Sequence, residues 1–376
     1  MIIAALNETP EDPRVAVTPS AVKQYAKLGF TVACEQHLGE MAGFKDADYV
    51  EAGAHILSTK KELLHNANIV LCINEPCSDT LEELPTKALI IGPIDNNPDS
   101  PLIHWCIERK ISLFSMNLIP RISRAQGMDS LSSQANLAGY RAVLEGVHYF
   151  KRAIPMMMTA AGMIQHAKIL ILGAGVAGLQ AIATAKRLGA VVYAFDVRRA
   201  AKEQVESLGA EFIEVSEKDN ETSGGYAGEI SKEYQRLQAE LVARYAQIAD
   251  IIITTALIPG KKAPILLTSE MISEMKAGAV IVDLATSRGG NCELSVKDQI
   301  ITHNEVTIIG NSNLAGLVAT TASELYSGNL INLMRLLAAV PSTVVFNPDD
   351  DIIKQALLCH NGQYLPYQKN KESPSL

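Results

Sequence analysis

Three glycines set between two apolar strands constrain this chain more than any other feature. The run Lys168-Ile-Leu-Ile-Leu172 reads as a buried strand and leads straight into Gly173-Ala174-Gly175-Val176-Ala177-Gly178. A helical segment, Ala177 to Leu188, follows and stops at Gly189. A second apolar strand, Val191 to Phe195, then ends in Asp196. A lone Gly-x-Gly-x-x-Gly is weak evidence. Strand, glycine turn, helix, strand and terminal acid in this order make up the Rossmann dinucleotide-binding unit. Gly173 permits the tight turn, Gly175 lets a pyrophosphate approach bare backbone, and Gly178 allows the helix to pack closely on the strand. The helix N-terminus, bordered by Ala174 and Val176, offers free N–H groups and a positive dipole end to phosphates. Asp196 suits hydrogen bonds to both adenosine ribose hydroxyls and would repel a 2′-phosphate, so NAD(H) is favoured over NADP(H). Arg198, just beyond Val197, could instead welcome a phosphate. Asp196 carries more weight because it ends the strand where the ribose lies.

At 376 residues the chain has room for two domains. Before the glycine motif, apolar runs at Met1–Leu6, Phe30–Cys34, Ala67–Ile73, Ala88–Ile91 and Ile111–Ser115 are spaced by helical stretches such as Ser20 to Leu28. After it come Glu211–Val215, Ile251–Thr255, Ala279–Asp283 and Val306–Gly310. This alternation predicts an α/β chain with two Rossmann-like, doubly wound parallel-sheet domains separated by a cleft. The predicted division places residues 1–130 and 320–376 in a first domain, 131–160 in a connecting helix and 161–319 in the dinucleotide-binding domain. The helix itself is expected from Ser132 to Ala153. Met156, Met157 and Met158 follow and read as core or interdomain filler, because a flexible thioether fits irregular gaps. The polar stretch 217–240 reads as a loop. Thr254–Gly260 and Asp283–Ala285 sit at strand ends, as crevice walls or as ordinary strand-to-helix punctuation.

The composition excludes several classes. A net charge of −8 lacks the basic footprint of a nucleic-acid binder, and 48% hydrophobic with 20% charged residues excludes global disorder. The longest apolar candidate for a membrane span, Leu330 to Phe346, is broken by Arg335 and Pro341. Asn7, Glu8, Glu11 and Asp12 stand where a leader needs an apolar core, so a cytoplasmic chain is expected. Six cysteines without a Cys-x-x-Cys pair and scattered histidines predict reduced thiols and no metal site.

Longer motifs add a resemblance. Arg121-Ile-Ser-Arg-Ala-Gln126-Gly-Met-Asp129-Ser-Leu-Ser132, the run through Val143 that follows it, Ala153-Ile-Pro-Met-Met-Met-Thr-Ala-Ala-Gly162, and Gly175 to Val205 closely resemble the proton-translocating nicotinamide nucleotide transhydrogenases. The match is to their NAD(H)-binding component, the alpha subunit or domain I, and extends over nearly the whole chain. The resemblance implies a Re/Si-specific enzyme in which hydride passes directly from NADH to NADP+ held on a partner domain. It also implies a homodimer, membrane-embedded partner subunits, and a peripheral place on the cytoplasmic side of the inner membrane. Arg121, Gln126 and Asp129 match the loop over the nicotinamide end, with Gln126 toward the partner's NADP(H). Ser132 would bond the nicotinamide end, Asp196 and Arg198 would hold the adenosine, and Leu257 would line the adenine side. Gly225, Tyr226 and Gln238 match a loop that closes over the nucleotide.

The family shares its fold with alanine dehydrogenase, and Arg14-Val-Ala-Val-Thr-Pro19 is similar to both. An alanine dehydrogenase-like amino acid oxidoreductase and a non-catalytic NAD(H) sensor are the alternative readings. A dehydrogenase of that kind needs a lysine before the Glu-Pro pair and a proton-donating histidine. Here Asn74 precedes Glu75-Pro76, no histidine lies between Ile90 and Pro101, and His104 is out of register. Gly127 stands where a serine is commoner, which predicts a looser Arg121–Asp129 loop. Ala315-Gly316-Leu317 replaces a Pro-Ser-Arg that many members carry.

Overall fold

Fully buried parallel strands need apolar side chains on both faces, and the strands of this chain supply them. The computed structural model describes residues 1–8, 11–215, 232–258 and 261–365. Two compact units emerge: Met1–Gln134 with Gly316–Leu376, and Ala135–Ala315.

The first unit opens with β1 (Ile2–Ala5), β2 (Thr31–Glu35), β3 (His55–Leu57), β4 (Ile69–Leu71), β5 (Leu89–Gly92) and β6 (Ser112–Ser115). They pair in parallel in the order β3-β2-β1-β4-β5-β6, so the chain reverses direction across the sheet between β1 and β4. Alternate residues feed two cores. Ile3, Ile69, Ile91 and Phe114 point to one face, and Ala4, Val70, Ile90 and Leu113 to the other.

The helix Ser130–Tyr149 carries the chain from the first unit into the second. It ends short of the expected Ala153. Ile154, which precedes Pro155, is held out of helical geometry and accepts a hydrogen bond from the Ala167 amide. A hairpin follows, β7 (Met157–Thr159) with β8 (Gly162–Ile164). The methionine run is therefore not core filler: Met156, Met157 and Met158 are 49%, 40% and 76% exposed.

The second unit's sheet contains β9 (Lys168–Leu172), β10 (Val191–Phe195), β11 (Glu211–Phe212), β12 (Ile251–Thr254), β13 (Val280–Asp283), β14 (Ile300–His303) and β15 (Val306–Ile309). The order is β11-β10-β9-β12-β13-β15-β14, parallel except for the antiparallel edge strand β14. Ile169, Ile171, Ile251 and Ile253 pack one face, and Leu170, Leu172, Ile252 and Ile281 the other. Residues 232–240, expected as loop, belong to the helix Lys232–Ile248. Gly316–Leu376 returns to the first unit. There the helix Ala319–Leu337 buries Tyr326, Leu330 and Met334, β16 (Leu357–His360) extends the sheet antiparallel to β6, and β17 (Gln363–Tyr364) pairs antiparallel with β16. No helix among the described residues is long and apolar enough to cross a membrane.

Candidate functional site

In open parallel sheets ligands bind at the carboxyl ends of the strands where the winding reverses. In the second unit that point lies between β9 and β12, and the glycine turn leaves β9 there. Gly173 has φ +104°, and a Cβ on it would stand 2.7 Å from the Thr255 hydroxyl. Gly178 is tighter still, its Cβ falling 1.8 Å from the Gly173 carbonyl oxygen. Gly175 differs: a Cβ there would meet nothing within 4 Å. Space is thus left open over bare backbone at the N-cap of the helix Val176–Arg187, and no side chain caps that end. Its first N–H groups have no partner within the helix and are donors for a phosphate. These residues fit a dinucleotide.

Asp196 stands beside this turn. One carboxylate oxygen accepts the Ala174 amide at 2.7 Å. The other accepts the Arg198 amide at 2.8 Å and its Nε at 3.0 Å. Arg198 Nη2 closes the ion pair at 3.0 Å. Burial alone would raise the Asp196 carboxyl. The Arg198 side chain and the two amides outweigh it and hold the carboxyl below the ordinary carboxylate range. Arg198 is thereby neutralised by Asp196, which leaves little net charge to attract a 2′-phosphate. Val176, Val197 and Leu257 are 41%, 64% and 51% exposed, apolar groups bordering the turn and the β12 loop. Thr255 donates its hydroxyl to the Gly173 carbonyl at 2.9 Å and ties these two segments together. Gln238 is half-buried on the helix Lys232–Ile248. Gly225 and Tyr226 lie outside the described residues.

In the first unit, Arg121 and Gln126 are exposed and Asp129 and Ser132 half-buried. Asp129 and Ser132 meet directly. The Asp129 carboxylate accepts the Ser132 amide at 2.9 Å and its hydroxyl at 2.6 Å, a cap on the helix Ser130–Tyr149. The loop is not loosened by Gly127, contrary to expectation. Its carbonyl accepts hydrogen bonds from Asn329 and Asn332, both at 2.9 Å, and a Cβ there would press on the Asn332 amide at 2.8 Å. Arg124 pairs bidentately with Asp350, and Ala125 and Met128 are buried. The loop is thus pinned on both sides of Gln126.

The winding of the first unit reverses between β1 and β4, and that point is filled from within. The Glu8 carboxylate accepts the Ile73 and Asn74 amides at 2.6 and 2.7 Å. Arg14 spends its guanidinium on both oxygens of Asp12 and on Gln134. Asn74, where a dehydrogenase needs a lysine, donates to Asp12 at 3.1 Å. Burial pushes the Glu8 carboxyl up to about 7 against the two amide hydrogen bonds, which lower it. A carboxyl raised in the native state favours folding below its unfolded value near 4.5, and that advantage is lost as pH rises toward 7. The stability difference between wild type and Glu8→Gln should therefore fall by about 2–3 kcal/mol from pH 5 to pH 8. Denaturant midpoints at both pH values read it, and a flat difference would mean that Glu8 holds no proton.

The family descriptions Alanine dehydrogenase/PNT, N-terminal domain, and Alanine dehydrogenase/PNT, C-terminal domain, match residues 5–138 and 142–366. The chain belongs to the alanine dehydrogenase/PNT family. Among curated members it is 42% identical over 370 residues to the NAD(P) transhydrogenase subunit alpha of Haemophilus influenzae, covering 97% of this chain and 72% of that protein. The alanine dehydrogenase of Methanococcus maripaludis is 25% identical over 320 residues, covering 82% of this chain and 80% of that protein. A solved transhydrogenase from Sinorhizobium meliloti superposes with a TM-score of 0.88 at 43% identity, over 97% of this chain and all of that one. Two residues of this family member went unmarked in the sequence. Gly139 packs against the start of the helix Val176–Arg187, and an isolated glycine in a helical pattern was the available signal. Asn291 braces the β12 loop, and nothing local to it announces that role.

Proposed function

We propose that this chain is the NAD(H)-binding component of a proton-translocating transhydrogenase. NADH bound at the glycine turn gives its hydride to NADP+ on a partner domain, yielding NAD+ and NADPH. Gly173, Ala174, Gly175, Val176 and Gly178 would cradle the pyrophosphate, and Asp196, Val197 and Arg198 the adenosine. Ser132 and the Arg121, Gln126 and Asp129 loop would orient the nicotinamide end. Leu257, Gly225, Tyr226 and Gln238 would enclose the dinucleotide. Catalysis is then positioning: two rings held in near-attack geometry, with no covalent intermediate.

The observation that carries this reading over an amino acid dehydrogenase is the filled reversal point of the first unit. A 2-oxo or amino acid substrate needs a cation to meet its carboxylate, and Arg14 is already ion-paired with Asp12 and hydrogen-bonded to Gln134. These contacts favour a hydride acceptor other than a small acid. A homodimer belongs to the same proposal, and the exposed methionines of the β7–β8 hairpin favour it as a face that a second copy would cover. Coupling to proton movement through membrane-embedded subunits, and a peripheral place on the membrane through them, follow from the family resemblance.

The test is a mixing assay. Purified chain and NADH are combined with a soluble NADP(H)-binding domain of a transhydrogenase and an NADP+ analogue of shifted absorbance. Rapid reduction requiring both proteins is expected. NADH binding without reduction would overturn the transhydrogenase reading, and turnover with pyruvate and ammonia would install the dehydrogenase instead.

A further inference from the structure

Beyond β12, Ala256 and Pro264 are both held by one buried side chain. Asn291 is fully buried. Its Oδ1 accepts the Ala256 amide at 2.9 Å, and its Nδ2 donates to the Ala256 carbonyl at 2.9 Å and the Pro264 carbonyl at 2.7 Å. The side-chain amide thus pairs with Ala256 as a neighbouring strand would, two residues past the end of β12. Asn291 is itself immobilised. Its amide donates to Asp283 at 2.9 Å, and its carbonyl accepts from Leu266 and Leu267 at 2.7 and 3.0 Å. Asp283, also fully buried, gathers Thr254, Ala285, Asn291 and Cys292 onto its two oxygens.

We propose that Asn291 is a positioning residue for dinucleotide binding, which acts through Ala256 to fix Leu257 against the adenosine half. The inference rests on the NAD(H) reading of the glycine turn and on Leu257 lining the adenine side. The chemistry admits only an amide here. One atom must accept an N–H while another donates to two carbonyls, and a carboxylate would set oxygen against both carbonyl oxygens. Thr255, the residue before Ala256, fastens the loop to Gly173. With Asn291 holding Ala256 from the other side, the exposed Leu257 and Ile258 are presented from a fixed base rather than from a free loop.

The experiment compares Asn291→Asp and Leu257→Ala with wild type in the full chain. NADH, AMP (the adenosine half) and reduced nicotinamide mononucleotide (the other half) are titrated by fluorescence and calorimetry, and melting is followed in parallel. Asn291→Asp should weaken NADH and AMP by a similar factor, at least about tenfold, and leave the mononucleotide within about twofold. Leu257→Ala should reproduce that split without lowering the melting temperature, so the test survives if Asn291→Asp folds poorly. Unchanged AMP affinity in Leu257→Ala, or equal losses for both halves in a folded Asn291→Asp, would overturn the positioning role. Wild-type chain that binds no NADH would instead defeat the nucleotide reading itself.

Discussion

Adding a single methyl group at Gly139 is expected to cost this chain at least about tenfold in NADH affinity and about 2 kcal/mol of stability. The methyl carbon would fall 2.0 Å from the Ala177 carbonyl oxygen and 2.9 Å from the Ala177 Cα. Those atoms are backbone in the first turn of the helix Val176–Arg187, so no rotamer change can clear them. Either that helix moves by about 1 Å or the helix Ser130–Tyr149 does. The first choice shifts the amides that would meet the pyrophosphate. Alanine's better helix propensity returns only about 1 kcal/mol, less than the cost of forcing two backbones apart. A control is built into the fold. Gly328, in the helix Ala319–Leu337, would place its Cβ within 4 Å of nothing. Gly328→Ala should therefore stabilise by up to about 1 kcal/mol and leave NADH binding unchanged. Gly139→Ala that melts and binds like wild type would mean the helices adjust at no cost.

The contrast between these two glycines shows where sequence reading reaches and where it stops. The β9–glycine–helix–β10–Asp196 unit was legible because every signal in it is local: apolar runs, glycines at fixed offsets, and an acid at a strand end. Its hydrogen bonds follow the same short path, Asp196 meeting Ala174 and Arg198. Gly139 and Gly328 look alike in sequence, and only the packing partner of each helix separates them. Asn291 reads as a loop residue after two glycines, yet its partners Ala256 and Pro264 lie far upstream. Glu8 reads as a polar N-terminal residue and is in fact an internal carboxyl that plugs the β1–β4 reversal. The edge strands β14 and β17 were missed because they are short and half-exposed, and β16, though buried, is only four residues long, without the longer apolar run of a central parallel strand. The methionine run failed for a related reason. Composition says that a side chain can fill a gap, but not whether a gap is there.

Gln126→Asn should slow hydride transfer to a partner-bound NADP+ analogue by about 100-fold while changing NADH affinity by less than about twofold. The substitution keeps the amide and withdraws it by one methylene, about the 1 Å displacement that ruins a near-attack geometry. It is also the cleanest change available in the loop. Asp129→Ala would remove the cap on the helix Ser130–Tyr149, costing about 1 kcal/mol of stability and releasing Ser132, so a slow variant there would be ambiguous. Arg124 and Gly127 hold the loop down through Asp350, Asn329 and Asn332, so their loss would move every side chain it carries. Gln126 itself is exposed between the buried anchors Ala125 and Met128, and its shortening leaves those anchors in place. Its melting temperature should match wild type. Transient kinetics at saturating NADH then separate the two roles open to this side chain. A rate loss without an affinity loss makes Gln126 a group that aligns the two rings, whereas equal losses in both would reduce it to a binding contact.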